Sequence, residues 1–151
     1  RSRVYEIEID KRRQDIAVFV EACPGLAGLI ELGAPESEID DVVKEHVTAL
    51  KARIGRWPDR AILGCTHYEI ITASFQKHLP KGTPLIHQPS SVADALVKYL
   101  ERHTELDAGN SGHRRFFTTG TPGAQSPRVQ AYWGVPLTFE PVMVPRQTKA
   151  V

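Results

Sequence analysis

Four consecutive residues near the middle of the chain bring together a thiol, a hydroxyl, an imidazole and a phenol. They are Cys65, Thr66, His67 and Tyr68, and they end the stretch AILGCTHY. A cysteine two residues from a histidine is a candidate reactive thiol, because a neighbouring imidazole can activate it. The same residues also fit a buried structural cysteine, since free cysteine is among the most buried residue types.

The flanking residues predict where these side chains lie. Ala61–Leu63 is a short apolar run that leads into Gly64, which is typical of a buried parallel strand. Residues 69–79 carry apolar side chains at helical spacing, so a helix is expected after the reactive group. The thiol and the imidazole should therefore lie at the carboxyl end of a strand, where open α/β sheets bind their ligands. A helix N-terminus at this turn would suit a carboxylate or a thiolate.

Strands and helices are predicted to alternate along most of the chain. Further strands are expected at 15–20, 85–87, 115–119 and 138–144. Helices are expected at 24–32, at 37–54 with Ser37 as N-cap, from Ser90 or Ser91 to about 100, and within 126–133. This alternation favours an α/β fold, with a parallel, Rossmann-like sheet between two layers of helices.

The composition narrows the classes of protein further. A length of 151 residues suits one domain with a proper core, and a net charge of +1 gives no reason to expect nucleic acid or a membrane surface as partner. The apolar runs are far shorter than the about 20 residues of a membrane span. Two cysteines are too few for a disulfide framework, so a reducing, cytoplasmic location fits best.

LGCTHY resembles the second active-site motif of the glutamate racemases, within the aspartate/glutamate racemase superfamily. Three other segments resemble the same family: RSRVYEIEI with Ser2 and Tyr5, the C-P…E pattern of Cys23 and Glu31, and RFFTTG at 115–120. Together they cover nearly the whole chain. The resemblance implies racemisation of L- and D-glutamate without cofactor or metal, by two cysteines that face opposite sides of the substrate α-carbon. The implied role is supply of D-glutamate for bacterial peptidoglycan.

The resemblance also implies a role for each matching residue. Cys65 would be the base for L-glutamate, and Thr66 would bind a substrate carboxylate. His67 would tune the thiol and assist the substrate ammonium, while Glu31 would hold the imidazole. Cys23 is interpreted as structural, because the second catalytic cysteine of the family lies in the other lobe beside an Asn-Thr pair that this sequence lacks.

The family architecture implies two pseudo-symmetric lobes with the substrate between them. Residues 1–103 would form the second lobe, the polar, glycine-bearing stretch 104–114 a linker, and 115–151 a segment that returns to complete the first lobe. We therefore expect the sequence to begin inside a longer protein. The 151-residue chain alone is expected to be inactive, and the full-length enzyme is expected to be a homodimer that acts on glutamate.

Two positions depart from the family pattern, and alternatives remain at this stage. His87 stands where the family usually has aspartate, and Glu69 stands where it usually has proline.

The alternatives are another racemase of the superfamily, for aspartate or hydantoins, and a binding lobe without catalysis. A metal site of Cys65, His67 and either His87 or His103 is a further alternative, which no C-x-x-C or H-x-x-x-H spacing supports.

Overall fold

The structure, a computed structural model, describes residues 3–106 and 114–144. The α-helices are α1 Val4–Asp10, α2 Leu26–Leu32, α3 Glu36–Ile54, α4 Thr72–His78, α5 Gln88–Arg102 and α6 Pro122–Trp133. The strands are β1 Ala61–Leu63, β2 Leu85–His87, β3 Phe116–Thr118 and β4 Phe139–Pro141. Short 3₁₀ segments cover Thr66–Ile71 and Thr104–Leu106. The expected α/β class is confirmed.

Contacts between residues divide the chain into two compact units, Arg1–Val97 and Lys98–Val151, so the division falls inside α5. In the first unit β1 pairs with β2, and in the second β3 pairs with β4, both in parallel. Among the described residues these two pairs form separate two-stranded sheets. The lobe boundaries expected at 103 and 114 stay predictions, and residues 107–113 of the expected linker lie outside the described residues.

The core of the first unit is formed by α2, α3 and α4 together with Leu63 at the end of β1. Its buried side chains are Leu26, Ile30, Ile39, Val43, Val47, Leu63 and Phe75. The α3 members repeat at intervals of four, so they form the single apolar stripe that the sequence predicts. Burial of this stripe fixes α3 against the strand that leads into the reactive stretch.

Helix boundaries follow from local chemistry, with two corrections. Gly33 ends α2 in the left-handed conformation, as expected for a residue without a Cβ atom. The predicted N-cap Ser37 was wrong, because α3 starts one residue earlier with Pro35 in the capping position and no side-chain cap. The helix after β2 also starts earlier than expected, at Gln88, because Pro89 fits a first helical turn that needs no amide donor.

The strand predicted at 15–20 was wrong. These residues have no regular structure, and the apolar side chains of Ile16, Phe19 and Val20 are exposed. A strand needs a partner along its edge, and the described residues provide none here. The segment is instead attached to α3, since Arg53 donates a 2.6 Å hydrogen bond to the carbonyl oxygen of Val20.

In the second unit, the strands expected near 115–119 and 138–144 are present as the shorter β3 and β4. Phe116 faces Phe139 in register, and Arg115 pairs with Glu140 across the two strands. The predicted helix is longer than expected and begins at Pro122, which again occupies a first helical turn. The expected frayed tail at 147–151 lies outside the described residues.

Helix α5 buries none of its residues in this structure. Its predicted apolar face is exposed, at positions Val92, Leu96, Tyr99 and Leu100. Among the residues that the structure describes, no helix is both long and apolar enough to cross a lipid bilayer.

Candidate active site

The reactive stretch lies at the carboxyl edge of the β1–β2 sheet. Leu63 ends β1 in register with His87, which ends β2, so both strands deliver the following residues to the same edge. Cys65 has extended backbone geometry and precedes the 3₁₀ segment Thr66–Ile71. The predicted strand-to-helix turn is therefore confirmed. The helix expected at 69–79 is shorter, since Thr66–Ile71 is a 3₁₀ segment and α4 spans Thr72–His78.

A thiol, an imidazole and a carboxylate form a continuous chain at this edge. The Sγ atom of Cys65 lies 3.6 Å from Nδ1 of His67, within hydrogen-bonding range for sulfur. On the other side of the ring, Nε2 of His67 lies 2.8 Å from Oε1 of Glu31. Because an ionised carboxylate only accepts hydrogen bonds, Nε2 is the donor to Glu31. Nδ1 is then left to exchange a proton with the thiol.

The two elements that carry this chain are both fixed by the core. Glu31 lies in α2 directly after the buried Ile30, and His67 follows β1, whose Leu63 is buried in the same cluster. The Glu31 side chain is 54% exposed and that of His67 is 31% exposed, so the pair faces solvent at the sheet edge. A bound substrate could therefore reach the thiol and the imidazole.

Thr66 and Cys23 complete the predicted set. Thr66 is the first residue of the 3₁₀ segment and is exposed beside Cys65. Cys23 is half-buried against the core. Burial raises the pKa of the Cys23 thiol, so this group stays protonated at neutral pH. That state agrees with a structural role, whereas the catalytic roles of Cys65, Thr66, His67 and Glu31 stay predictions.

Tyr68 attaches the reactive turn to the segment before α2. Its hydroxyl donates a 3.4 Å hydrogen bond to the carbonyl oxygen of Cys23, and its ring packs on Phe75 at a centroid distance of 5.5 Å. Burial is the main cause that raises the pKa of Tyr68, with the neighbouring Cys23 as the next. The phenol therefore remains a neutral hydrogen-bond donor, and its role here is to hold the turn.

Sequence reasoning missed one contact of the turn. The ring of Tyr5 in α1 lies over the backbone of Gly64, so that a Cβ atom placed on Gly64 would be 3.3 Å from Cε2 of Tyr5. Gly64 thus allows α1 to approach the residue before Cys65. The match of Tyr5 to the family pattern signalled its importance, but not this contact.

The two departures from the family pattern, Glu69 and His87, face each other beside the turn. Nδ1 of His87 lies 3.9 Å from Oε1 of Glu69, and the hydroxyl of Ser90 donates a 3.3 Å hydrogen bond to the same oxygen. This arrangement was not predicted. Within residues 3–106 and 114–144, no group of three His, Cys, Asp or Glu side chains is placed to hold a metal ion.

The parallel strand pair and the helices of the first unit define an α/β lobe. The hydrogen-bonded Cys65, His67 and Glu31 lie at its carboxyl edge, which is where open α/β sheets bind ligands. Two solved structures to which this chain is similar are glutamate racemases. Isoform RacE1 from Bacillus anthracis matches with a TM-score of 0.85 and 26% identity, over 95% of this chain and 53% of that one. The Francisella tularensis enzyme, solved in complex with D-glutamate, matches with a TM-score of 0.79 at 23% identity, which supports the fold alone.

The chain is also similar to curated sequences of glutamate racemases. The chain is 65% identical over 141 residues to the glutamate racemase of Phenylobacterium zucineum, which is 93% of this chain and 50% of that protein. Identity to the glutamate racemase of Caulobacter sp. strain K31 is 65% over 139 residues, and to that of Paracoccus denitrificans 39% over 140. No protein-family model matches. The chain spans about half the length of these relatives, and its resemblance to glutamate racemases is confirmed over that part.

Proposed function

We propose that this chain is the C-terminal part of a two-lobed glutamate racemase, which interconverts L- and D-glutamate by proton transfer at the α-carbon. Residues 1–103 would be the second lobe, and 115–151 would return to complete the first. The single observation that carries this proposal is the series of side-chain contacts from Cys65 through His67 to Glu31, with separations of 3.6 and 2.8 Å. It occurs in a sequence that is 65% identical to curated glutamate racemases.

Racemisation requires removal of a weakly acidic α-proton from one face and its return on the other. Cysteine suits this step, because the reference pKa of a thiol is within reach of neutral pH. In the proposed mechanism Cys65 transfers its proton to Nδ1 of His67, and the thiolate then removes the α-proton of L-glutamate. The Glu31 carboxylate stabilises the resulting imidazolium through Nε2. A thiol of the other lobe would donate a proton to the opposite face and give D-glutamate.

Substrate binding in this proposal uses the start of the 3₁₀ segment. The exposed hydroxyl of Thr66 and its backbone amide would donate hydrogen bonds to a substrate carboxylate next to the thiol. The remaining carboxylate contacts and the second thiol would come from the first lobe, so neither lobe completes a catalytic cycle alone.

The proposed enzyme needs no pyridoxal phosphate or metal, since the two thiols perform both proton transfers. The product D-glutamate is a building block of peptidoglycan, so the proposed role is cell-wall synthesis in the bacterial cytoplasm. The full-length enzyme is proposed to be a homodimer. The names of the relatives favour glutamate over the aspartate and hydantoin alternatives.

The test is a racemisation assay on the full-length, two-lobed protein. The assay would follow the decay of the circular dichroism signal of L-glutamate and of D-glutamate in separate reactions, with no pyridoxal phosphate added. We expect interconversion in both directions, and a loss of at least about 10³-fold in kcat for Cys65→Ala, because the base for one face is removed.

The matched control is Cys23→Ala, which removes the other thiol of this chain while leaving Cys65, His67 and Glu31 in place. We expect it to retain most of the activity, because the Cys23 thiol stays protonated and half-buried. Full activity of Cys65→Ala, or equal losses for both variants, would overturn the proposed function.

A further inference from the structure

A second acid–imidazole pair lies at the same sheet edge as the reactive thiol. Glu69 belongs to the 3₁₀ segment that begins at Thr66, and His87 is the last residue of β2. Oε1 of Glu69 is 3.9 Å from Nδ1 of His87 and accepts a 3.3 Å hydrogen bond from Ser90. The Nδ1 atom is buried and has no hydrogen-bond partner among the described residues, so the carboxylate is its nearest ionic neighbour.

The geometry of a 3₁₀ segment places Glu69 beside the proposed substrate site. Side chains three residues apart on such a segment are eclipsed, so Glu69 lies on the same side as Thr66. Thr66 is the residue proposed to bind a substrate carboxylate. A bare Glu69 carboxylate on this side would repel an anionic substrate, and the repulsion would be strongest at low ionic strength.

We infer that His87 and Ser90 compensate the charge of Glu69, which makes the pair a positioning element for binding of an anionic substrate. This inference rests on the proposed function. The imidazole faces the carboxylate with a buried ring nitrogen, and Ser90 donates to the same oxygen from the first turn of α5. The amide dipoles at the start of this helix add a positive field near Glu69. The imidazole, the Ser90 hydroxyl and the start of α5 thus all lie near this carboxylate.

The test is a kinetic comparison of three variants of the full-length enzyme. For His87→Ala we expect KM for glutamate to rise about three- to tenfold, with kcat changed less than about twofold, because uniform binding is lost. Glu69→Gln should leave KM unchanged or lower it. The double variant should return KM to near its original value, since removal of the carboxylate removes the need for compensation.

Two further measurements, at raised ionic strength and on a matched variant, distinguish charge compensation from a structural disturbance caused by the substitution. The KM effect of His87→Ala should shrink when salt is raised to about 0.5 M, because salt screens the partly exposed Glu69 carboxylate. His103→Ala is the control: it removes the imidazole of another His–Glu pair, in which Nδ1 is 2.9 Å from Glu105, and it should not change KM.

The outcomes distinguish the two claims. An unmodified full-length enzyme that does not racemise glutamate would overturn the proposed function, and this inference with it. An active enzyme in which Glu69→Gln raises KM, or in which it fails to rescue His87→Ala, would overturn the charge compensation alone. Should His87→Ala fail to fold, His87→Gln takes its place, because it keeps a polar side chain at this position but removes the imidazole.

Discussion

The Oε1 atom of Glu31 lies 2.8 Å from Nε2 of His67, although 36 residues separate them in the sequence. The core explains this proximity. Glu31 follows the buried Ile30 in α2, and the segment of His67 follows the buried Leu63 of β1. Because Ile30 and Leu63 belong to one apolar cluster, their packing sets the separation of the carboxylate and the ring.

The first prediction concerns this contact. Glu31→Gln keeps the shape of the side chain but removes the charge that stabilises a protonated His67. We expect kcat of the full-length enzyme to fall about 10- to 100-fold, as is typical for partners that orient a functional group. The loss should be much smaller than for Cys65→Ala, since the base remains. The fall in kcat is measured from racemisation rates that start from each enantiomer.

The control for this variant is Glu45→Gln, a matched substitution at an exposed position of α3. It should leave kcat and KM unchanged. Equal kinetics for Glu31→Gln and the unmodified enzyme would show that the contact with His67 does not contribute to the reaction.

The second prediction concerns the pH dependence of stability at the α3–α4 contact. Asp40 accepts hydrogen bonds from Lys77 at 2.6 Å and Ser74 at 2.9 Å, and Nε2 of His78 lies 3.0 Å away. The bond from Lys77 is the main cause that lowers the pKa of Asp40 from 3.8 to about 2. Because the folded value is the lower one, this carboxylate stabilises the fold above about pH 4, and the contribution is lost as pH falls through about 2.

Asp40→Asn should therefore lower the urea midpoint of unfolding at pH 6 to 7, while the difference from the unmodified protein should vanish near pH 2. Asp94→Asn, at an exposed position of α5, is the control and should not change the midpoint. An Asp40→Asn effect that is the same at both pH values would mean that the charge of Asp40 is not responsible.

Local sequence patterns predicted the position of the reactive residues well. The apolar run at 61–63 and its glycine, followed by polar and apolar residues at helical spacing, put Cys65 at a strand end, and the structure agrees. The contact between Glu31 and His67 was expected only from the resemblance. Spacing alone could not have given it, because it depends on how α2 packs against β1.

The missed features depend on contacts between distant parts of the chain. Residues 15–20 have strand-like composition, but a strand also requires a neighbour, and none pairs with them among the described residues. The apposition of Glu69 and His87 requires the register of β1 with β2, in which Leu63 faces His87. The approach of Tyr5 to Gly64 likewise depends on where α1 packs.

The third prediction is that the 151-residue chain alone does not racemise glutamate. In the proposed mechanism Cys65 acts on one face of the α-carbon, while Cys23 stays protonated and half-buried. No thiol would then act on the opposite face. Circular dichroism at high protein concentration should show no change in either enantiomer, whereas the full-length enzyme under the same conditions should be active. Racemisation by the chain alone would contradict the two-lobe proposal.

The last prediction assigns Cys65 to one direction of proton transfer, by exchange of the α-hydrogen with solvent D₂O. Under the proposed mechanism, full-length Cys65→Ala keeps the thiol of the other lobe as the base for D-glutamate. Deuterium should therefore enter the α-position of D-glutamate at a residual rate, while L-glutamate, whose base is missing, should not exchange. Proton NMR of each enantiomer measures this directly, as loss of the α-hydrogen signal. The Cys23→Ala variant serves as the control, since it should exchange both enantiomers as the unmodified enzyme does. Undiminished exchange into L-glutamate in Cys65→Ala would show that Cys65 is not the base on that face.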